Sequence, residues 1–198
     1  MELWIMSCST ASIPLQRLNI LANSRLVRSL LPHLQDATLP RSLTVENDPD
    51  TYFLPPCKSI ATELLPVASR LHHFSAPDGW QPSTEFEQLI GAMSDLRHLE
   101  LGYTLDSTST QDTPSHTLLA ANSLGQLTSL RELTLRDIGE AQSMIYLLAT
   151  LNDLLSTPPP SLKRIQLDLS FTTSWPEGAR AELESKAEAA GVWLVFVV

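Results

Sequence analysis

Ser129-Leu130-Arg131-Glu132-Leu133-Thr134-Leu135 and Ser161-Leu162-Lys163-Arg164-Ile165-Gln166-Leu167 share one phrase, with apolar residues at the first, fourth and sixth places after a serine. A third clear copy is Leu96-Arg97-His98-Leu99-Glu100-Leu101. Weaker copies are Leu15 to Ile20 and Leu71 to Ala76, and Pro40 to Val45 is degenerate. The copies start at residues 15, 40, 71, 96, 130 and 162, so their spacing varies between 25 and 34 residues. That range suits a repeating unit of one strand and one helix. A last apolar run, Val192 to Val198, follows at a similar interval and reads as a closing strand. Strands are therefore expected near 15–20, 40–45, 71–76, 96–101, 130–135, 162–167 and 192–198, within a single domain covering residues 1–198.

Between the strands the apolar period changes from 2 to 3.6, which marks helices. One helical face collects Leu26, Val27, Leu30, Leu31 and Leu34; the next collects Ile60, Leu64, Leu65 and Ala68, and a third collects Phe86, Leu89, Ile90 and Met93. Leu118, Leu119 and Ala121 open a shorter fourth helix. The fifth, through Met144, Ile145, Leu147, Leu148, Leu151, Leu154 and Leu155, is bounded by Gly139-Glu140 and Pro158-Pro159-Pro160. A sixth is expected to open at Ser174, with Ser174 as N-cap and Glu177 as its capping-box partner, and to end before Gly191. Leu105 to Ser115, rich in Ser, Thr and Asp, fits neither period and reads as a surface insertion.

Strand then helix, repeated, requires parallel strands joined by right-handed crossovers. A doubly wound sheet needs strands apolar on both faces, whereas Leu99 and Leu101 alternate with His98 and Glu100. The expected fold is thus α/β, a curved solenoid with a parallel sheet on the concave side and helices on the convex side.

Composition narrows the role. Of 198 residues 36 are Leu, about twice ordinary usage, yet 14 Pro exclude a long coiled coil and no run of about 18 apolar residues suggests a membrane span. The net charge is −9, which disfavours nonspecific attraction to nucleic acid or anionic lipid. Residues 1–99 carry 7 basic and 10 acidic groups and residues 100–198 carry 6 and 12, and neither half is expected to hide a basic stripe. Cys8 and Cys57 form no ligand pair, and Met1 to Met6 lacks a signal peptide's basic flank and apolar length, so a cytoplasmic or nuclear protein is expected.

The phrases at 129–135 and 161–167 resemble leucine-rich-repeat proteins, in particular the irregular repeats that follow an F-box in many fungal proteins. The similarity covers roughly residues 13–198. That family usually places Asn or Cys three residues beyond the last strand leucine. Here those places hold Asn23, Asp48, Gly79, Thr104, Ile138 and Ser170, so the first copy alone matches, and no F-box segment is found. The resemblance implies the substrate-binding part of a ubiquitin-ligase adaptor, or a free-standing relative without the adaptor helices.

Sequence chemistry points away from catalysis. No G-x-S-x-G, P-loop, G-x-G-x-x-G or H-E-x-x-H motif occurs, and 7 Gly leave little for a phosphate cradle. No cofactor and no metal are expected. His73 and His98, placed side by side next to Glu100, resemble a zinc set, but an exposed polar pair is the better reading. Glu46-Asn47-Asp48-Pro49-Asp50 lacks the Gly and distal Glu of a calcium loop, and Thr113-Pro114 reads as solvated loop rather than kinase site.

The expectation is a noncatalytic protein-binding module; the competing one is a small α/β enzyme or ligand-binding domain with its pocket at the strand C-termini. Strand alternation places the candidate partner-binding residues on the concave face. One row reads Arg17, Ser42, His73, His98, Glu132, Arg164. The next reads Asn19, Thr44, Ser75, Glu100, Thr134, Gln166, and Glu46, Arg136 and Asp168 begin a third. Glu132 is expected to face Arg164, and Arg136 to face Asp168. The last strand, apolar on both faces, is expected to be covered by the insertion, by a second copy of the chain or by a partner.

Overall fold

An apolar residue at every second position gives the strands between residues 42 and 168 one apolar face, and in the computed structural model those faces converge on one core. The structure describes residues 17–21, 41–46, 58–77, 83–103, 121–137, 141–168 and 175–197. Seven parallel strands run in chain order across one sheet: β1 Arg17–Leu21, β2 Ser42–Glu46, β3 His73–Ala76, β4 His98–Tyr103, β5 Glu132–Asp137, β6 Arg164–Asp168 and β7 Trp193–Val197. Helices α1 Lys58–Ala68, α2 Thr84–Gly91, α3 Ala121–Gly125, α4 Ala141–Ser156 and α5 Ala179–Ala189 pack against one another in the same order. The fold is α/β with an all-parallel sheet.

Leu99, Leu101, Leu133, Leu135, Ile165 and Leu167 are all buried, as the strand alternation requires. Ile60, Leu64 and Ala68 of α1, Phe86, Leu89 and Ile90 of α2, and Leu147, Leu151, Leu154 and Leu155 of α4 meet them in a single cluster. Leu65 and Leu148 pack at its margin. The expected helix around Leu26 to Leu34, the Leu105 to Ser115 insertion, Leu118, Leu119, residues 47–50, Cys8, Cys57 and Ser174 lie outside the described residues.

The strands from β3 to β6 begin two residues later than the phrase does, for a repeated reason. The leading leucine of each phrase closes a turn instead of joining the sheet. Leu71 N–H donates to the Ala68 carbonyl, Leu96 to Met93, Leu130 to Leu127 and Leu162 to Pro159, at 3.0–3.1 Å. All four leading leucines are buried. Each is thus a core plug that ends one crossover and aims the next strand.

Helix ends follow local chemistry. Ser83 caps α2, its hydroxyl accepting from Phe86 N–H at 3.2 Å, while Glu85 and Glu87 in the first turn complement the helix dipole. The capping box expected at Ser174 does not start α5. Ala179 N–H donates to the Pro176 carbonyl, and Gly178 takes the N-cap place with φ of 77°, so the helix opens five residues after Ser174. A turn closed on Pro176 and a left-handed glycine displaced the box.

The other end of α5 is a Schellman turn. Val192 N–H reaches the Ala187 carbonyl, Gly191 N–H reaches that of Glu188, and Gly191 holds φ of 68°. Nothing stands within 4 Å of a Cβ added at Gly191. Gly191→Ala is therefore expected to cost about 1–2 kcal/mol from backbone strain alone, read by urea denaturation.

Candidate functional site

The strand residues that alternate with the core set form the opposite, partly open face of the sheet. Register places them in straight rows. Arg17, Ser42, His73, His98, Glu132, Arg164 and Trp193 are successive Cα partners, as are Asn19, Thr44, Ser75, Glu100, Thr134, Gln166 and Val195. Arg136 lies between Gly102 and Asp168 in a third row, and Glu46 pairs with Leu21. The first two expected rows run unbroken across the sheet, whereas in the third Arg136 and Asp168 are partners and Glu46 is not joined to them.

Side-chain pairing departs from the simple neighbour rule. Glu132 and Arg164 are backbone partners, but the Glu132 carboxylate turns to His98 Nδ1, 3.1 Å away, while Arg164 Nη2 donates to Gln166 Oε1 at 2.9 Å. Arg136 lies near Asp168 at 3.7 Å, yet its shorter contact, 2.6 Å, is to Glu100. Ser75 donates to the other Glu100 oxygen at 2.6 Å. Glu100 is thus the hub of the face, bridging β3 and β5, because a carboxylate on the middle strand reaches both sides. Ser75 lies beneath it, 3% exposed, and is withdrawn from any partner. Each half-exposed ion pair here adds about 0–1 kcal/mol, so the network orders side chains more than it stabilises the fold.

His73 and His98 stack with ring centroids 5.7 Å apart. Glu100 is committed to Ser75 and Arg136, so the expected neighbours do not converge as a ligand set; among the described residues no group of three His, Cys, Asp or Glu side chains could hold a metal ion.

At the sheet edge, β7 has two characters. Leu194 and Phe196 pack against the core, and Phe196 meets the Trp175 ring edge-on at 5.2 Å with the Arg180 guanidinium 4.2 Å over its face. On the open face Trp193 is 78% exposed and Val197 37%. The expected cover is therefore not provided by the described residues, and the insertion loop lies outside them. An open depression of about 560 Å³ is lined by Glu132, Lys163, Arg164, Gly191, Trp193 and Val195. It sits at the strand N-terminal ends, opposite to the place expected for an α/β ligand pocket.

Sequence reasoning missed one feature. The second place of each phrase after β1 is basic: Arg41, His72, Arg97, Arg131 and Lys163. These residues align along the N-terminal rim, so a basic stripe exists after all. Whole-half charge counts average it away. The signal was in the column of the repeat, not in the run of the chain. His72 sits below the ordinary histidine range, first through desolvation and then through Arg97 and Arg41, with Asp95 opposing.

No helix among the described residues is long and apolar enough to cross a membrane. No protein-family profile matches the chain, and no curated protein matches it in sequence.

Proposed function

We propose that this chain is a leucine-rich-repeat solenoid that acts as a noncatalytic protein-binding module, recognising a partner through the open face of its sheet. The observation that carries the reading is the pair of in-register polar rows, fixed from below by a continuous leucine core. A rigid sheet that displays His73, His98, Glu100, Glu132, Thr134, Arg136, Arg164, Gln166 and Asp168 at one strand spacing suits a charged or hydrogen-bonding peptide better than an apolar ligand. The resemblance to repeats behind an F-box adds substrate recognition in a ubiquitin-ligase assembly as its setting, in the cytoplasm or nucleus.

Affinity purification with mass spectrometry tests this directly, since recovery of ligase scaffold subunits supports the setting and a recovered target supplies the partner. The variant Glu100→Gln, Glu132→Gln, Arg164→Gln is expected to abolish partner recovery with a nearly unchanged melting temperature. Unaltered recovery would move the site off this face. Small-angle scattering tests the architecture: an elongated arc supports the solenoid, whereas a radius of gyration near the compact value of about 16 Å would favour an α/β enzyme or ligand-binding domain.

A further inference from the structure

The basic rim is built by the backbone. The N–H groups of His72 and His73 both donate to the Arg41 carbonyl, those of Arg97 and His98 to the His72 carbonyl, those of Arg131 and Glu132 to Arg97, and those of Lys163 and Arg164 to Arg131, at 2.8–3.1 Å. Trp193 N–H closes the series on the Lys163 carbonyl at 2.8 Å. Identical bonding at every step holds the five basic residues in single file, about 4.8 Å apart, over about 19 Å.

Arg41, Arg97, Arg131 and Lys163 are exposed and His72 is half-buried. Among the described residues, the ion pairs engage His98, Arg136, Arg180 and Lys186, and none engages a member of this file. In a chain of net charge −9, four cations that make no ion pair among the described residues form a local field opposite to that of the whole, with Asp95 acting on His72 between them. Like-charge neighbours are tolerated there because water screens them, and an anionic partner would relieve their repulsion.

We propose that this N-terminal rim binds an extended acidic segment of a partner protein, laid across the strand ends with its carboxylates on Arg41, Arg97, Arg131 and Lys163. The proposal rests on the reading of the chain as a protein-binding module; its acidic segment uses the rim alone, and only the apolar residue that follows meets members of the open-face rows, Glu132, Arg164, Trp193 and Val195. An extended peptide sets same-side residues about 6.7 Å apart, so three alternate acids cover most of the file. At the Lys163 end, the depression beside Trp193 accepts an apolar residue following the acids. Nucleic acid is the weaker occupant, because its many phosphates would meet the surrounding negative field as well as the file.

The test uses the full chain and a capped peptide, Glu-Ser-Glu-Ser-Glu-Ser-Leu-Leu, with titration calorimetry at two salt concentrations. The expected result is binding that weakens with salt, no binding by the peptide with Lys in place of Glu, and at least a tenfold loss for Arg97→Glu, Arg131→Glu. The milder pair Arg97→Gln, Arg131→Gln should lose several-fold with an unchanged melting temperature, which guards against misfolding. Absence of binding at millimolar peptide, equal binding of the Lys peptide, or tighter binding of a ten-residue thymidine oligonucleotide would overturn the proposal. If the peptide fails while the open-face triple variant still abolishes partner recovery, the rim proposal falls and the open-face reading stands.

Discussion

Leu133→Ala is expected to lower the unfolding free energy by about 2–5 kcal/mol, through lost burial energy and the cavity left behind. Leu133 is fully buried at the middle of the sheet. Its Cα partners are Leu99 and Ile165, both themselves buried, and helical leucines close the cluster from the other side. The parallel ladder fixes both neighbours, so they have little freedom to collapse into the space. Chemical denaturation reads the effect, and a loss below about 1 kcal/mol would mean that the repeat core is not continuous at β5.

Deleting Leu194 to Val198 is expected to destabilise by at least about 3 kcal/mol and to cause aggregation. Leu194 and Phe196, both partly buried against the core, together with the contacts of Phe196 to Trp175 and Arg180, carry a loss of this size. Its loss would bare the Ile165 and Leu167 side of β6 and leave that strand with an unpaired edge, a template for wrong pairing. Thermal melting and light scattering check both halves of the expectation. A truncated chain that stays monomeric with the same melting temperature would show that β7 is dispensable to the core.

Strand positions and core leucines were legible in the sequence because they answer to one physical constraint, the alternation of side chains on a pleated sheet under a helical layer. Row membership was legible for the same reason: once Leu99, Leu133 and Ile165 align, His98, Glu132 and Arg164 must align too. What alternation does not specify is where a long side chain bends. Glu132 chooses His98 over Arg164, and Glu100 gathers Ser75 and Arg136, by rotamer and reach rather than by register. Ser75 was misplaced as an exposed group because its cover is the carboxylate of the adjacent strand. Arg97 and Arg131 escaped notice because they sit in the turn before the strand, where the period of 2 has not yet begun. The opening of α5 was lost to Gly178, whose positive φ reshapes the turn after Pro176.

The turns led by Leu71, Leu96, Leu130 and Leu162 have a consequence for how such a chain can change over evolutionary time. Each sets a constant three-residue step from the residue that closes its turn, so entry into the next strand is measured from the core itself. The segments leaving the strands obey no such ruler: Ala76 to Thr84 and Tyr103 to Ala121 differ more than twofold in length while the sheet register stays intact. Residues can be gained or lost on the outgoing side of any strand without disturbing its neighbours. A single residue inserted between Leu127 and Leu130 would instead turn the following leucines out of the core. Changes in length are thereby tolerated ahead of the closing turns, while the three-residue step into each strand stays fixed.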